Sequence, residues 1–176
     1  GLDLGVISPN TEHICKGEFM VKGREEPFKC WKEEGHGKVK ILDAIKGSCN
    51  VFFYNVGMEL GVDVMNKYAN IFGLGQLTGL GLMNEKEGLI PSSKWKKRAL
   101  KEQWYEAENT AMAIGQGYII VTPLQVINMI NILANKGTLM PPKLFLEQDG
   151  LLQHQLNLKE EYMSLIREGM IAVVNE

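Results

Sequence analysis

The sequence predicts a mainly α-helical chain with short β segments. Apolar residues recur at helical spacing over Val62 to Phe72, Leu124 to Leu133 and Tyr162 to Val173. Thr122-Pro123 is a helix start by its chemistry. The hydroxyl caps free N–H groups, and the fixed φ of proline suits the first helical position. Val6 to Trp31 is instead rich in Gly, Pro and charge and has no 3.6-residue period, which predicts loops and short strands.

In chain order, Gly1-Leu2-Asp3-Leu4-Gly5 looks like the tail of a helix, and Met170 to Glu176 stops without a cap, so both ends are expected to be cuts in a longer chain. Val39 to Lys46 carries Val39, Ile41, Leu42 and Ile45 and predicts a short helix ending before Ser48. Val51 to Leu60 is apolar and aromatic, and Gly61 separates it from a second helical run with Val62, Met65, Tyr68, Ala69 and Phe72 on one face. Gly73 stands where a C-terminal capping glycine belongs. Leu74 to Ser92 holds four glycines and predicts a loop. Ser92 or Ser93 caps a short basic helix, and Glu106 to Ile114 forms another helix or turn. The helix from Pro123 runs to Asn135 and ends at Gly137. Pro141-Pro142 opens an extended segment with Leu144 and Leu146 on one side. Asn157 caps a last helix bearing Tyr162, Leu165, Ile166, Met170 and Val173.

The chain has 176 residues, enough for one core. Its net charge of −2, with the signs interspersed, argues against a nucleic-acid surface, which needs a clustered basic excess. The one basic cluster, Lys94, Lys96, Lys97, Arg98 and Lys101 around Trp95, predicts a solvated helix face, with a surface for an anionic partner as the alternative. No run of about 18 apolar residues exists, so no segment is expected to span a membrane.

All three cysteines, Cys15, Cys30 and Cys49, lie in the first 50 residues, with His36 between the last two. Three Cys and one His form a closed tetrahedral zinc set. The steps of 15, 6 and 13 residues are not the paired short spacings of a zinc finger. Gly35 and Gly37 leave the imidazole unobstructed, and the Cys15–Cys30 stretch has few large apolar residues to hold itself together. Buried thiols, or a Cys15–Cys30 disulfide with one thiol left over, are the alternatives. His13 is a competitor to His36, and His154 falls in a polar loop.

Ser48-Cys49-Asn50 follows the first predicted helix. Alone, a Ser-x-Asn tripeptide reads as a helix cap. Its surroundings form an ordered series of motifs. Gly35-His36-Gly37, Ala44-Ile45 and Ser48-Cys49-Asn50-Val51-Phe52-Phe53-Tyr54 come first. Phe72-Gly73-Leu74-Gly75 with Thr78-Gly79, and Gly88-Leu89-Ile90-Pro91-Ser92 with Trp95, come next. Ile114-Gly115-Gln116-Gly117-Tyr118, Val121-Thr122-Pro123-Leu124-Gln125 and Ala134-Asn135-Lys136-Gly137 complete it. In this order the motifs resemble the transpeptidase domain of class B penicillin-binding proteins, most of all the elongation-type, penicillin-binding protein 2 family. The resemblance is close over about residues 1–145 and looser over the last helix.

The resemblance implies a fold, an activity and a site. The whole domain is a central antiparallel sheet with helices on both faces plus a helical lobe. This chain would be the helical lobe of that β-lactamase-like fold, with the central sheet largely missing. Residues 1–176 would form one partial transpeptidase domain, with a loop-rich metal-binding segment and second catalytic motif in 1–50 and a mostly helical lobe in 51–176. The family cross-links peptidoglycan stem peptides on the periplasmic side of the bacterial inner membrane, anchored by an N-terminal segment absent here. The serine of a Ser-x-x-Lys motif forms an acyl-enzyme, and β-lactams acylate that same serine. Ser48 would relay a proton, and Asn50 would hydrogen-bond the substrate amide and hold the motif lysine. Some elongation-type members hold zinc here with a ligand inside the Ser-x-Asn motif, which implies a structural Zn2+ on Cys15, Cys30, His36 and Cys49. With four protein ligands, no position remains open for a substrate.

There are also departures. No Lys-Thr-Gly or Lys-Ser-Gly occurs. Ser93 to Lys96 is the one Ser-x-x-Lys match and lies far downstream of where the nucleophile belongs. Ala107-Glu108-Asn109 replaces a common Gly-Asp-Thr, and Gly81 a common Asp. The chain alone is therefore expected to be inactive. The alternative reading is a zinc-stabilised structural or interaction module that contacts membrane partners of the cell-elongation machinery. Without its sheet, the chain is expected to expose apolar surface and self-associate.

Overall fold

The computed structural model describes residues 1–145 and 154–175. Leu146, expected in the extended segment after Pro142, lies outside them. The described residues hold helices joined by very short strands, as the helical periodicity predicts. Gly1 to Val6 has the hydrogen bonding of a helix C-terminus. Val6 N donates to Gly1 O, Gly5 N donates to Leu2 O, and Gly5 is left-handed at φ 68°.

Two small antiparallel ribbons follow. β1 (His13–Cys15) pairs with β4 (Gly37–Val39), placing Cys15 opposite Gly37. β2 (Glu18–Phe19) pairs with β3 (Phe28–Lys29). Val39, expected in the first helix, pairs with His13 instead, and its side chain is buried. The helix α1 therefore runs only over Ile41–Lys46.

α2 (Asn50–Ile71) breaks its helical path at Gly61, where φ is 71° and ψ 162°. The two predicted runs are thus one element with a bend at the glycine that separates them. Its first half supplies the main core. Phe52 is fully buried, edge-on to His13 at 5.2 Å and to Phe53 at 5.5 Å. That core also holds Cys15, Cys30, Ile41 and Cys49, and the C-terminal helix packs on it through Tyr162, Leu165 and Ile166. It therefore joins residues on both sides of position 50. Gly73 closes α2 as expected, left-handed at φ 82°, with Leu74 N donating to Ala69 O.

α3 (Ser93–Ala99) starts at Ser92, whose hydroxyl accepts from Trp95 N at 3.1 Å. The expected solvated basic face needs one correction, because Lys96 is only 1% exposed. Its ammonium lies 2.6 and 2.7 Å from the two Glu108 oxygens and 3.5 Å from Glu102. The rings of Tyr105, Tyr118 and Trp104 surround it at 4.7, 5.7 and 5.8 Å. Burial pulls the lysine pKa down, but Glu108 first, then Tyr118 and Glu102, outweigh it and the net shift is upward. Glu108 thereby gives the Ala107-Glu108-Asn109 segment a definite task. It opens α4 (Glu108–Ala113), which packs so closely on α2 that a Cβ on Gly57 would sit 2.4 Å from Ala113 Cβ.

α5 (Pro123–Ala134) begins at Thr122 with a full capping box formed with Gln125. Gln125 is fully buried, and its amide donates to Gln76 O at 2.7 Å and Glu87 O at 2.9 Å, which ties the glycine-containing loop to the helix start. β5 (Thr138–Leu139) pairs with β6 (His154–Gln155), so His154 lies in a strand rather than a free loop. Leu156 is buried with its N–H donating to Gly137 O, and Leu158 N donates to Leu156 O at 2.9 Å, a tight turn centred on Asn157 rather than a helix start. Asn157 is therefore not the cap, and α6 runs over Glu160–Asn175. No helix of the described residues is long and apolar enough to cross a membrane.

Candidate functional site

Ser48-Cys49-Asn50 is a junction between two helices. α1 closes with Cys49 N donating to Ala44 O at 2.9 Å and Ser48 N to Ile45 O at 3.2 Å. This is the double bond pattern of a helix end whose next residue is left-handed. That residue is usually glycine, but here it is Ser48, at φ 49°. A side chain in this region costs about 1–2 kcal/mol, because Cβ crowds the following carbonyl. Cys49 then serves as the N-cap residue of α2, and Asn50 is its first helical residue. Three consecutive residues thus face three ways. Ser48 is exposed, Cys49 is fully buried, and Asn50 is half-buried with its amide donating to Lys29 O at 3.4 Å. Backbone strain at a polar residue is a mark of functional sites. Ser48→Gly is expected to stabilise the chain by about 1 kcal/mol, the strain released at that φ. A denaturant midpoint at or below the parent's would show that the left-handed serine is not strained.

The buried side of this junction is a cluster. The ligand atoms of Cys15, Cys30, His36 and Cys49 all lie within 4.8 Å of one another. The structure brings together all four residues proposed as metal ligands. The ribbons make this possible. β1 ends on Cys15, Cys30 follows β3, and Cys30 N donates to Gly17 O at 2.7 Å. His36 sits just before β4. The backbones around Cys15 and His36 interlock through Gly35, where a Cβ would fall 2.2 Å from Cys15 O. His13 stays outside the group, with its ring against Phe52 and its Nε2 buried and unpartnered.

The donor set fits a tetrahedral ion. His36 Nε2 lies 3.0 Å from Gly47 O. A carbonyl only accepts, so Nε2 carries the proton and Nδ1 turns its lone pair inward. Nδ1 lies 3.6 Å from Cys15 Sγ and 3.5 Å from Cys30 Sγ. Tetrahedral bonds of about 2.3 Å to sulfur and 2.0–2.1 Å to nitrogen put such ligands about 3.6 Å apart. No disulfide joins the cysteines. Crowded thiols cannot all ionise without a cation. Burial chiefly pushes the Cys49 thiol up to about 12, and Cys15 and Cys30 raise it further against the Phe52 N–H. Burial also works to raise Cys30, but the backbone N–H groups of Lys32, Asn50 and Val51 outweigh it and lower that thiol. Such N–H donors aimed at sulfur suit a thiolate ligand.

Trp31 was not singled out by the sequence. Its Nε1 donates to both Gly47 O and Ser48 O at 3.0 Å, and its ring stands edge-on to His36 at 5.3 Å. Its position between Cys30 and His36, where an apolar ring has no helical or strand face to join, was the available signal. The Ser93–Lys96 pair shows no sign of a nucleophile and base. Ser93 Oγ donates to Asp63 at 2.6 Å, and Lys96 is bound to Glu108.

Comparison with known proteins agrees with the motif series. The family model described as "Penicillin binding protein transpeptidase domain" matches residues 1–176. Peptidoglycan D,D-transpeptidase MrdA of Escherichia coli (strain K12) is 32% identical over 184 residues, covering 99% of this chain and 29% of that protein. MrdA of Acinetobacter baumannii is 39% identical over 142 residues, covering 81% of this chain and 21% of that protein. The chain therefore spans less than a third of the length of these relatives. The solved complex of PBP2 with MreC from Helicobacter pylori superposes with a TM-score of 0.89 at 28% identity, covering 99% of this chain and 34% of that one. The helical lobe with little sheet is thus that of PBP2 structures, and the chain belongs to the penicillin-binding protein transpeptidase family, as part of a class B, PBP2-type transpeptidase domain.

Proposed function

We propose that this chain supplies the second catalytic motif, and the metal centre beneath it, to a peptidoglycan D,D-transpeptidase working by a serine acyl-enzyme. The observation that carries this is the left-handed, exposed Ser48 immediately preceding the buried Cys49. Strain of this kind persists where the surrounding structure holds a polar group for use. Ser48 relays the proton between the motif lysine and the leaving or attacking amine, and Asn50 orients the substrate amide. Both act on a nucleophile contributed by other residues of the whole protein. Cys15, Cys30, His36 and Cys49 would hold a structural zinc, whose contribution is to cross-link the ribbons to the start of α2.

The substrates of the whole protein are stem peptides, and β-lactams acylate it. Its place is the periplasmic side of the inner membrane, and residues 1–176 are one partial domain of it. Elongation-machinery proteins are its partners, a reading favoured by the Helicobacter pylori PBP2 complex with MreC. Alone, the chain self-associates through apolar positions such as Ile127 and Val174, 55% and 82% exposed. The same complex favours the second reading, in which the metal-stabilised lobe is a contact module. Fluorescent penicillin decides between them. The full-length protein is expected to be labelled stoichiometrically and the 176-residue chain not at all. Labelling of a serine within the short chain, or none in the full-length protein, would overturn the transpeptidase reading.

A further inference from the structure

We infer that Trp31 is a positioning residue for this reaction, holding Ser48 in its left-handed conformation by clamping the carbonyls on both sides of the strained bond. The inference rests on the transpeptidase reading of Ser48. Trp31 is 63% exposed, so burial does not account for where its ring lies. Its two polar contacts do. The indole Nε1–H is shared between Gly47 O and Ser48 O, each at 3.0 Å. These carbonyls stand at the end of α1, where backbone acceptors lack partners along the helix. His36 Nε2 reaches Gly47 O as well, at 3.0 Å, but it is Trp31 that spans both. The ring is itself fixed edge-on against His36, which the cysteine cluster holds in place. The peptide plane carrying Ser48 O cannot rotate toward ordinary helical or extended values without leaving the indole. Ser48 N to Ile45 O and Cys49 N to Ala44 O hold the same two planes from the helix side, so loss of the indole loosens rather than frees a non-glycine residue at φ 49°. The hydroxyl then moves, and displacements of about 1 Å cost up to about a hundredfold in rate.

The test uses the full-length protein with Trp31→Phe, which keeps a ring over His36 and removes the donor. Stopped-flow labelling with a fluorescent penicillin separates the saturating acylation rate constant from the non-covalent dissociation constant. Metal content and melting temperature are measured on the same sample. The expected result is an acylation rate constant lower by about tenfold, with the dissociation constant, metal content and melting temperature unchanged. Benzothienylalanine at position 31, with sulfur in place of the N–H and an almost unchanged shape, is expected to give the same loss, and it decides the matter where the phenylalanine variant fails to fold. An acylation rate within about twofold of the parent's in the benzothienyl variant overturns the inference, as does a loss that appears only together with loss of metal. An unlabelled parent protein would instead overturn the transpeptidase reading, and this inference with it.

Discussion

Replacing Cys49 by alanine is expected to release the metal, lower the melting temperature of the chain by about 10 °C, and slow penicillin labelling of the full-length protein. Cys49 is fully buried and lies between Ser48 and Asn50, so its sulfur would be the metal anchor nearest the proposed catalytic pair. Without it, only His36 and two cysteines from the ribbons remain, too few to keep an ion or to tie the ribbons to α2. The segment from Cys15 to Cys30 has two-residue strands and few large apolar side chains of its own, so an ion bound there would carry much of its order. A loss of about 4 kcal/mol is modest for a structural zinc, and about 2–4 °C per kcal/mol converts it to the stated shift. Chelation of the parent should reproduce the drop, because the cause is the ion rather than the missing sulfur's packing. Full metal content in Cys49→Ala, with an unchanged melt, would remove Cys49 from the ligand set.

Glu108→Ala is expected to cost about 3 kcal/mol, at the lower end for breaking a buried pair because Glu108 keeps some contact with water. The ammonium of Lys96 would remain, buried among three aromatic rings. Lys96→Met should cost less, since it removes the buried charge and leaves a carboxylate that water can reach. Combining the two changes should recover part of the Glu108→Ala loss. The pH dependence has a fixed sign. The folded-state lysine pKa lies above its unfolded value of about 10.4, so the pair's contribution is complete below that pH and is lost as pH rises through the folded value. Denaturant melts of the three variants at neutral pH check the costs, and melts of the parent and of Lys96→Met at rising alkaline pH check the sign. A Glu108→Ala cost no larger than that of Lys96→Met would mean that Lys96 reaches solvent when its partner is gone.

The parts of this structure legible in the sequence are those that local chemistry dictates. Thr122-Pro123 starts α5, Gly61 bends α2 and Gly73 ends it, because capping hydroxyls, proline and left-handed glycines act within a few residues. The four residues of the proposed metal set were legible by type, while their spacing gave no finger-like pattern. They come from two ribbons and a helix junction, so steps of 15, 6 and 13 residues close only through strand pairing. What failed was decided at longer range. Val39 looks helical until His13 pairs with it. Lys96 looks like its basic neighbours until Glu108 and the rings of Tyr105, Tyr118 and Trp104 close around it. Asn157 looks like a cap until Gly137 ties down Leu156 and a tight turn closes around Asn157. The left-handed Ser48 was hidden for a different reason, since its φ is set by the way α1 closes and by the indole on its flanking carbonyls, and neither leaves a mark on residue type.

Native mass spectrometry of the chain, prepared without chelator, asks whether the Ser48-Cys49-Asn50 junction rests on a bound metal. One zinc ion per chain is expected, and none when any one of Cys15, Cys30, His36 or Cys49 is replaced. A metal-free chain carrying a Cys15–Cys30 disulfide would contradict it.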